Sequence, residues 1–236
     1  MIRVIDRLMN TRFAALFALV VAPLAFGTEG AAPKAETAAA TEGAKMKSFA
    51  YDCSAWEEGV PPREVFVVDG TVKIATKDGN KAIMIDPSPI VDANAQLGES
   101  ASGDESITAR ALASKKGRSF PRFGVSVHGN SGYRLIVNCA KKQIELIKND
   151  ETLKTAPFTW TTDTWTLLKL EAKEREAGKW LITCKAWAAD AAEPAEAQIS
   201  HADDKMKGMG KAAIWGTPFS EMPIYFDDIK IEAEGK

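Results

Sequence analysis

Residues 210–232 read GKAAIWGTPFSEMPIYFDDIKIE and have the pattern of two strands joined by a proline-rich loop. In the second strand, apolar residues alternate with polar ones up to Phe226, which is typical of a half-buried strand. From Ile229 onward the apolar positions fall on the opposite parity. One extra residue at 227–228, a β-bulge, would restore a continuous apolar face. We therefore predict a bulged last strand that closes the fold.

Turn signals divide the rest of residues 48–236 into short strands with hardly any helix. The pair Asp69-Gly70 predicts a hairpin. Residues 87–104 are predicted to be a long polar loop, and residues 191–199 are the single candidate for a helix. Strands with one apolar and one polar face are what two stacked antiparallel sheets produce. Without crossover helices, a parallel α/β fold is excluded. The sequence predicts an all-β, two-sheet antiparallel sandwich.

The N-terminal segment is predicted to be a targeting signal. In residues 1–27, three arginines precede an apolar run of about 14 residues and a small-residue cleavage site, the layout of a secretory signal peptide. Residues 28–47 are rich in Ala, Thr, Gly and Glu and predict a flexible linker. Residues 48–236 form the globular domain. We expect a periplasmic or extracellular protein without membrane insertion after cleavage; an uncleaved anchor is the alternative.

Charge and cysteine content narrow the class of partner. Lys and Arg total 30 against 32 Asp and Glu, so nothing favours binding to nucleic acid.

Three cysteines in an exported chain predict one disulfide and one buried thiol. Cys139 and Cys184 lie in strand-like runs and are our choice for the pair, with Cys53 left over, although sequence alone does not decide connectivity. With only two histidines and no CxxC spacing, a zinc site is not expected.

Three stretches between residues 48 and 232 carry a resemblance to a known superfamily. Residues 68–72 read VDGTV and match an early V-x-G hairpin, and residues 132–173 match a central run that begins G-Y-x-L and ends with W-x-x-L. Residues 210–231 match an ending that contains Y-F-D-D, although Ala213 replaces an expected glycine. This pattern resembles the concanavalin A-like lectin/glucanase superfamily, and within it the laminin-G-like and bacterial 3-keto-disaccharide hydrolase-type jelly rolls. The resemblance implies a jelly roll that binds sugar on a concave face or at an edge loop.

Aromatic and planar polar side chains are the residues that such a sugar site needs. Aromatic faces stack on sugar CH groups, while amides and guanidinium groups bind hydroxyls. The chain's candidate ligand-binding residues are His128, Asn130, Tyr133, Arg134, Trp187 and Trp215. The alternatives are a turn histidine satisfied by solvent or backbone, and tryptophans that pack in the core.

Asp227 and Asp228 suggest a structural metal by resemblance only. In related β-sandwiches, carboxylates of the first and last strands bind calcium, which implies Asp52 as the third ligand. The alternative is that Asp227 faces solvent and Asp228 bonds the backbone of the bulge. We expect no other cofactor.

No motif for catalysis is present in the sequence. Neither the family-16 spacing E-x-D-x-x-E nor a G-x-S-x-G elbow occurs. We therefore expect non-catalytic binding of a polysaccharide or glycoconjugate on the concave face. A hydrolase or lyase whose carboxylates meet only in the fold is one alternative, and a structural or adhesive cell-envelope protein is the other.

Overall fold

The structure, a computed structural model, describes residues 45–206 and 209–235 and is built from strands and turns. The predicted signal peptide and all but the last three residues of the predicted linker lie outside these ranges. The first strand begins at Met46, two residues before the predicted start of the domain. No helix within the described ranges has the length and apolar character needed to span a bilayer.

Two antiparallel sheets make up the domain, as the sequence predicts. The eight-stranded sheet contains β1 (Met46–Tyr51), β3 (Val72–Lys77), β4 (Asn80–Ile85), β6 (Glu105–Leu112), β11 (Thr166–Glu176), β12 (Lys179–Ala188), β13 (Ile199–Asp203) and β15 (Ile224–Glu234). The seven-stranded sheet contains β2 (Phe66–Asp69), β5 (Ala93–Ala101), β7 (Arg122–Val127), β8 (Tyr133–Asn138), β9 (Gln143–Lys148), β10 (Glu151–Pro157) and β14 (Gly210–Thr217).

The core lies between the two sheets and is built by period-2 alternation. In β7, Phe123, Val125 and Val127 are fully buried in the main apolar cluster, the face that the sequence predicts to be inward. Inward residues of the eight-stranded sheet, such as Leu168 and Ile182, belong to the same cluster. One contiguous core joining both sheets is the signature of a sandwich.

The last strand organises the eight-stranded sheet. β15 pairs with β6 on one side, and with β4 and then β1 on the other. Its register against β6 shifts between Asp227 and Lys230, and Asp228 has a φ of 48°. Phe226 before the shift and Ile229 after it are both 0% exposed. The predicted bulge is confirmed, and it keeps one face of β15 inward over the whole strand.

Several local predictions are wrong. Asp69-Gly70 connects β2 to β3 in the opposite sheet, so it makes a crossing between sheets and not a hairpin. The predicted loop 87–104 contains β5, whose inward positions are mostly alanine and give a weak apolar signal. The predicted helix 191–199 is absent from this described segment. Instead, the Gln198 side chain bonds both backbone groups of Ala186, in the manner of a neighbouring strand.

The three cysteines are free and buried, so the predicted Cys139–Cys184 disulfide is wrong. Burial raises the pKa of all three thiols, that of Cys53 to about 12. Inert, buried thiols react only when the chain opens. We expect a thiol reagent to label no cysteine in the native protein and three per chain in denaturant. A single reactive thiol in denaturant would instead indicate a disulfide.

Candidate functional site

The outer face of the seven-stranded sheet carries many polar side chains among a few apolar ones. The residues of this face alternate with the core residues of the same strands and lie in rows across paired strands. One row contains Gln96, Ala213, Ser126, Arg134 and Ile147, the next Asn94, Trp215, Gly124, Ile136 and Glu145, and the third Thr217, Arg122, Asn138 and Gln143. Most of them are buried although they point away from the core.

Arg134 on β8 is the centre of this face. Its guanidinium donates hydrogen bonds to Asp92 at 3.1 Å and to Asp150, and lies 4.5 Å from the centre of the Trp215 ring. The Trp215 indole N–H in turn donates to the Ser126 hydroxyl at 2.8 Å. Cation–π contact and two carboxylates hold the guanidinium in a fixed orientation.

Arg122 on β7 is held by a second network. Its Nη2 donates to Oε2 of Glu145 at 3.0 Å, while Oε1 accepts from Asn138 at 2.9 Å and from Gln143 at 2.8 Å. Glu145 is 2% exposed, so its charge is compensated almost wholly by these neighbours. The Arg122 Nε is buried and has no hydrogen-bond partner among the described residues.

A cavity of about 190 Å³ opens between the two arginines, and we call it the arginine pocket. Its lining consists of Asp92, Arg122, Arg134, Ile136, Ile147, Asp150, Gly216 and Thr217. Ile136 and Ile147 belong to a small apolar cluster with Ala213 and Trp215, which forms the floor. The pocket therefore combines an apolar base with planar charged walls, the composition of a binding site for a small polar group.

Three of the residues selected from the sequence lie on this face. Arg134 lines the pocket, and Trp215 lies beneath it with 6% of its surface exposed. Asn130 is exposed in the turn after β7, where its Oδ1 accepts from Gln96 Nε2 at 3.4 Å. Arg134 and Trp215 alternate with core residues of β8 and β14, which explains why both point outward.

Tyr133 and His128 lie elsewhere. Tyr133 precedes Arg134 in the same strand, so the two side chains point to opposite faces, and Tyr133 is 0% exposed in the core. His128 is 2% exposed, because a φ of 57° at the strand end turns it away from the predicted face. Its Nε2 donates to the Gly103 carbonyl at 2.8 Å. Neither side chain is accessible to a ligand in this structure.

Trp187 lies on the outer face of the eight-stranded sheet. Its parity with Lys185 is as the sequence indicates, because both alternate with core residues of β12. The ring is only 8% exposed and belongs to a different sheet from Arg134. The structure thus does not bring Trp187 and Arg134 together.

The three carboxylates predicted to bind calcium have protein partners in this structure. Asp227 and Asp228 both contact Arg110, at 2.6 and 3.0 Å. Asp52 accepts hydrogen bonds from the backbone N–H and the hydroxyl of Ser54. The described residues contain no group of three or more His, Cys, Asp or Glu side chains arranged to hold a metal ion.

A separate polar cluster bridges the two sheets inside the sandwich. Glu105 on β6 is 1% exposed and accepts the backbone N–H of His128 on the other sheet. Burial raises the pKa of Glu105 to about 8, against the opposite effect of hydrogen bonds from the His128 and Ala212 backbone. Burial likewise lowers the pKa of the His128 imidazole. Both groups are therefore neutral near pH 7.

Tyr133 also joins the two sheets. Its hydroxyl donates to Asp203, which binds the Lys148 ammonium at 2.7 Å. Burial would raise the pKa of Asp203, but the hydrogen bonds from Lys148 and Tyr133 outweigh it and lower the pKa to about 2. Burial and Asp203 raise the pKa of Tyr133. This arrangement fixes a structural ion pair at the edge of the core.

Several pocket residues escaped the sequence analysis. Asp92 falls in the segment assigned to a loop, and Asp150 in a turn between β9 and β10. Arg122 shares the polar face of its strand with Ser126, and the same parity rule that indicated Arg134 would have found it. Nothing in the sequence shows that Asp92 and Asp150 both meet Arg134.

Comparison with known proteins gives evidence on the fold. No family model matches the chain, and no curated protein matches it by sequence. Among solved structures, the chain is similar to carbohydrate-binding module CBM66 from Bacillus subtilis, with a TM-score of 0.50 and 16% identity over 71% of this chain and 94% of that one.

Two further similar structures have lower scores. The metal-free carbohydrate recognition domain of Emp46p has a TM-score of 0.49 and 11% identity, over 73% of this chain and 89% of that one. The PL-14 alginate lyase from Aplysia kurodai has a TM-score of 0.46 and 13% identity, over 68% and 86%. Two antiparallel sheets in this order, together with the likeness to CBM66, show that the chain has an all-β jelly-roll sandwich fold.

Proposed function

We propose that this protein is exported and binds a glycan non-catalytically in the arginine pocket. The observation that carries the proposal is the convergence of two guanidinium groups and two carboxylates, from Arg122, Arg134, Asp92 and Asp150, on one cavity. The likeness in fold to a carbohydrate-binding module supports it. Export rests on the pattern of residues 1–27.

The pocket has the geometry that sugar recognition requires. Asp92 accepts from the Thr217 hydroxyl at 2.8 Å and from Arg134 at 3.1 Å, so its carboxylate is held in place before a ligand arrives. Pre-oriented groups lose little entropy on binding. At about 190 Å³, the cavity is smaller than the roughly 300–1,000 Å³ typical of drug-sized ligands. It fits one sugar unit or a chain end.

Replacing Arg134 with Gln is expected to weaken glycan binding at least 10-fold. A hydrogen bond to a charged group contributes about 1.5–3 kcal/mol, and each 1.4 kcal/mol corresponds to about a factor of ten in affinity. The measurement is a glycan array of neutral and acidic glycans probed with the full chain, followed by calorimetry on the bound glycans.

Arg175→Gln is the matched control, because Arg175 is an exposed arginine on β11 of the other sheet. Its binding should equal that of the wild type, and thermal melts should show that both variants are folded. Equal loss in both variants, or none in Arg134→Gln, would contradict the proposed pocket. A silent array would favour the cell-envelope alternative.

The enzymatic alternative is tested with the same glycans. A retaining glycosidase needs two carboxyl groups about 5–5.5 Å apart, one of them free to protonate the leaving group. Here Asp92 and Asp150 both contact the guanidinium of Arg134, so neither carboxylate is free to act on a leaving group in this arrangement. Release of reducing ends or unsaturated sugars by the wild type, lost in Asp92→Asn, would replace binding with catalysis.

A further inference from the structure

We propose that the arginine pocket selects a sugar bearing a carboxylate, such as a uronic acid, and that Asp150 occupies the place of that carboxylate in the free protein. The inference rests on the proposed function and specifies its ligand class. Three observations carry it. Arg122 has an unpaired donor, the contact between Arg134 and Asp150 is exchangeable, and the Trp215 ring is covered by the Arg134 guanidinium.

The unpaired donor is the Nε–H of Arg122. This atom is buried and lacks an acceptor among the described residues, and a buried donor without a partner costs free energy. The carboxylate of Glu145 does not supply one, because its Oε2 binds Nη2 of Arg122 and its Oε1 binds two side-chain amides. This donor is therefore open to an acceptor from outside the chain, a water molecule in the free protein or a ligand oxygen, and Arg122 lines the pocket.

The exchangeable contact is the ion pair between Arg134 and Asp150. The Asp150 side chain is 89% exposed and lies on the turn between β9 and β10, whereas the Arg134 side chain is 10% exposed. Because the Asp150 carboxylate stays in water whether or not it contacts Arg134, an incoming carboxylate can replace it without burying or stranding its charge. The second partner of Arg134, Asp92, is also bound to Thr217 and stays in place.

Charge in the pocket then favours an anion. With Asp150 displaced, the charged lining groups are Arg122, Arg134 and Asp92, and Glu145 contacts Arg122 from beneath, so these four charges sum to zero. The Lys141 ammonium lies 3.6 Å from Glu145 and brings the sum to one positive charge. A planar carboxylate matches the fork of a guanidinium group and accepts two parallel hydrogen bonds.

The covering of Trp215 argues against a site built on stacking. Neutral sugars are commonly bound on exposed aromatic faces. Trp215 is 6% exposed and the Arg134 guanidinium lies over its ring, and the pocket lining itself contains no aromatic residue. Recognition in this pocket consequently depends on charged hydrogen bonds.

The experiment compares acidic oligosaccharides with their own neutral forms. Hexasaccharides of glucuronic, galacturonic and mannuronic acid are titrated into the full chain by calorimetry, beside the same oligosaccharides after reduction of the carboxyl groups. We expect at least one acidic series to bind and its reduced form to bind at least about 10-fold more weakly, because a charged hydrogen bond is lost. Arg122→Gln and Arg134→Gln should each abolish the preference.

The change in affinity caused by Asp150→Asn distinguishes two roles of Asp150, a stand-in for the ligand carboxylate and an acceptor for a sugar hydroxyl. Removing the internal carboxylate should tighten binding of the acidic ligand severalfold, whereas it should weaken binding if Asp150 accepts a sugar hydroxyl. Asp190 is an exposed aspartate after β12, and the control variant Asp190→Asn should leave the affinity for the acidic ligand unchanged. Equal binding of acidic and reduced forms, or weaker binding by Asp150→Asn, overturns the inference and leaves the proposed function standing. Absence of binding to every glycan, neutral or acidic, overturns both.

Discussion

Deletion of Lys230 is expected to leave the chain unfolded. Lys230 is an exposed residue of β15 that pairs with Thr108 after the bulge, so its removal puts the residues that follow it on the opposite face. Ile231, which is 0% exposed, would turn to solvent at a cost of about 1.5–3 kcal/mol, together with Ala233. A strand that instead kept Ile231 opposite β6 as before would lose the bulge, turn Ile229 to solvent and point the Asp228 carboxylate into the core.

Either arrangement, which also shifts the pairing of β15 with β1, removes much of the stability of a typical domain, about 5–15 kcal/mol. The measurement is far-UV circular dichroism with a thermal melt. Deletion of Asp228 is the matched control, because it removes the bulge and leaves strict alternation along β15, so the same apolar residues stay inward and a cooperative transition should remain. Deletion of Ala192, an exposed residue outside any strand, should also leave a cooperative transition. A cooperative melt after deletion of Lys230 would show that the alternation after the bulge does not fix the register of β15.

Replacing Glu105 with Gln is expected to abolish a loss of stability that the wild type shows as pH rises. The folded chain keeps a proton on Glu105 up to about pH 8, while the unfolded chain has released it well below neutral pH. Because the folded state binds the extra proton, the free energy of unfolding falls with rising pH, by about 1.4 kcal/mol per pH unit.

The comparison is made by urea denaturation between pH 6.5 and 8. The lowered pKa values of His128 and His201 raise stability with pH in the lower part of this interval, by the same amount in the wild type and in Glu105→Gln. Over the whole interval, the wild type should therefore lose about 2 kcal/mol relative to Glu105→Gln. Glu232→Gln, on an exposed position of β15 opposite Ser106, should keep the wild-type slope. A flat profile for the wild type would mean that Glu105 is already ionised in the folded state.

The parts of the fold that could be predicted are the strands whose apolar residues alternate along the chain itself. Alternation of apolar residues has a period of two along the chain and shows in β7, β8 and β15 without knowledge of their neighbours. Two of the edge strands gave no such signal: β10 and β13 each lie at one end of a sheet, and most of their residues are exposed or half-buried and polar. An edge strand is held by pairing on one side, which its own sequence does not reveal.

What the sequence alone determined is the class of the protein, an all-β sandwich with a bulged closing strand. The tertiary structure decided which polar groups meet. Arg134 contacts Asp92 from 42 residues away and Asp150 from 16, because the strand order of the sheet places β5, β14, β7, β8 and β9 side by side. Side-chain direction follows from local backbone geometry, whereas strand order results from burying two faces at once, so the arginine pocket exists only in the folded chain.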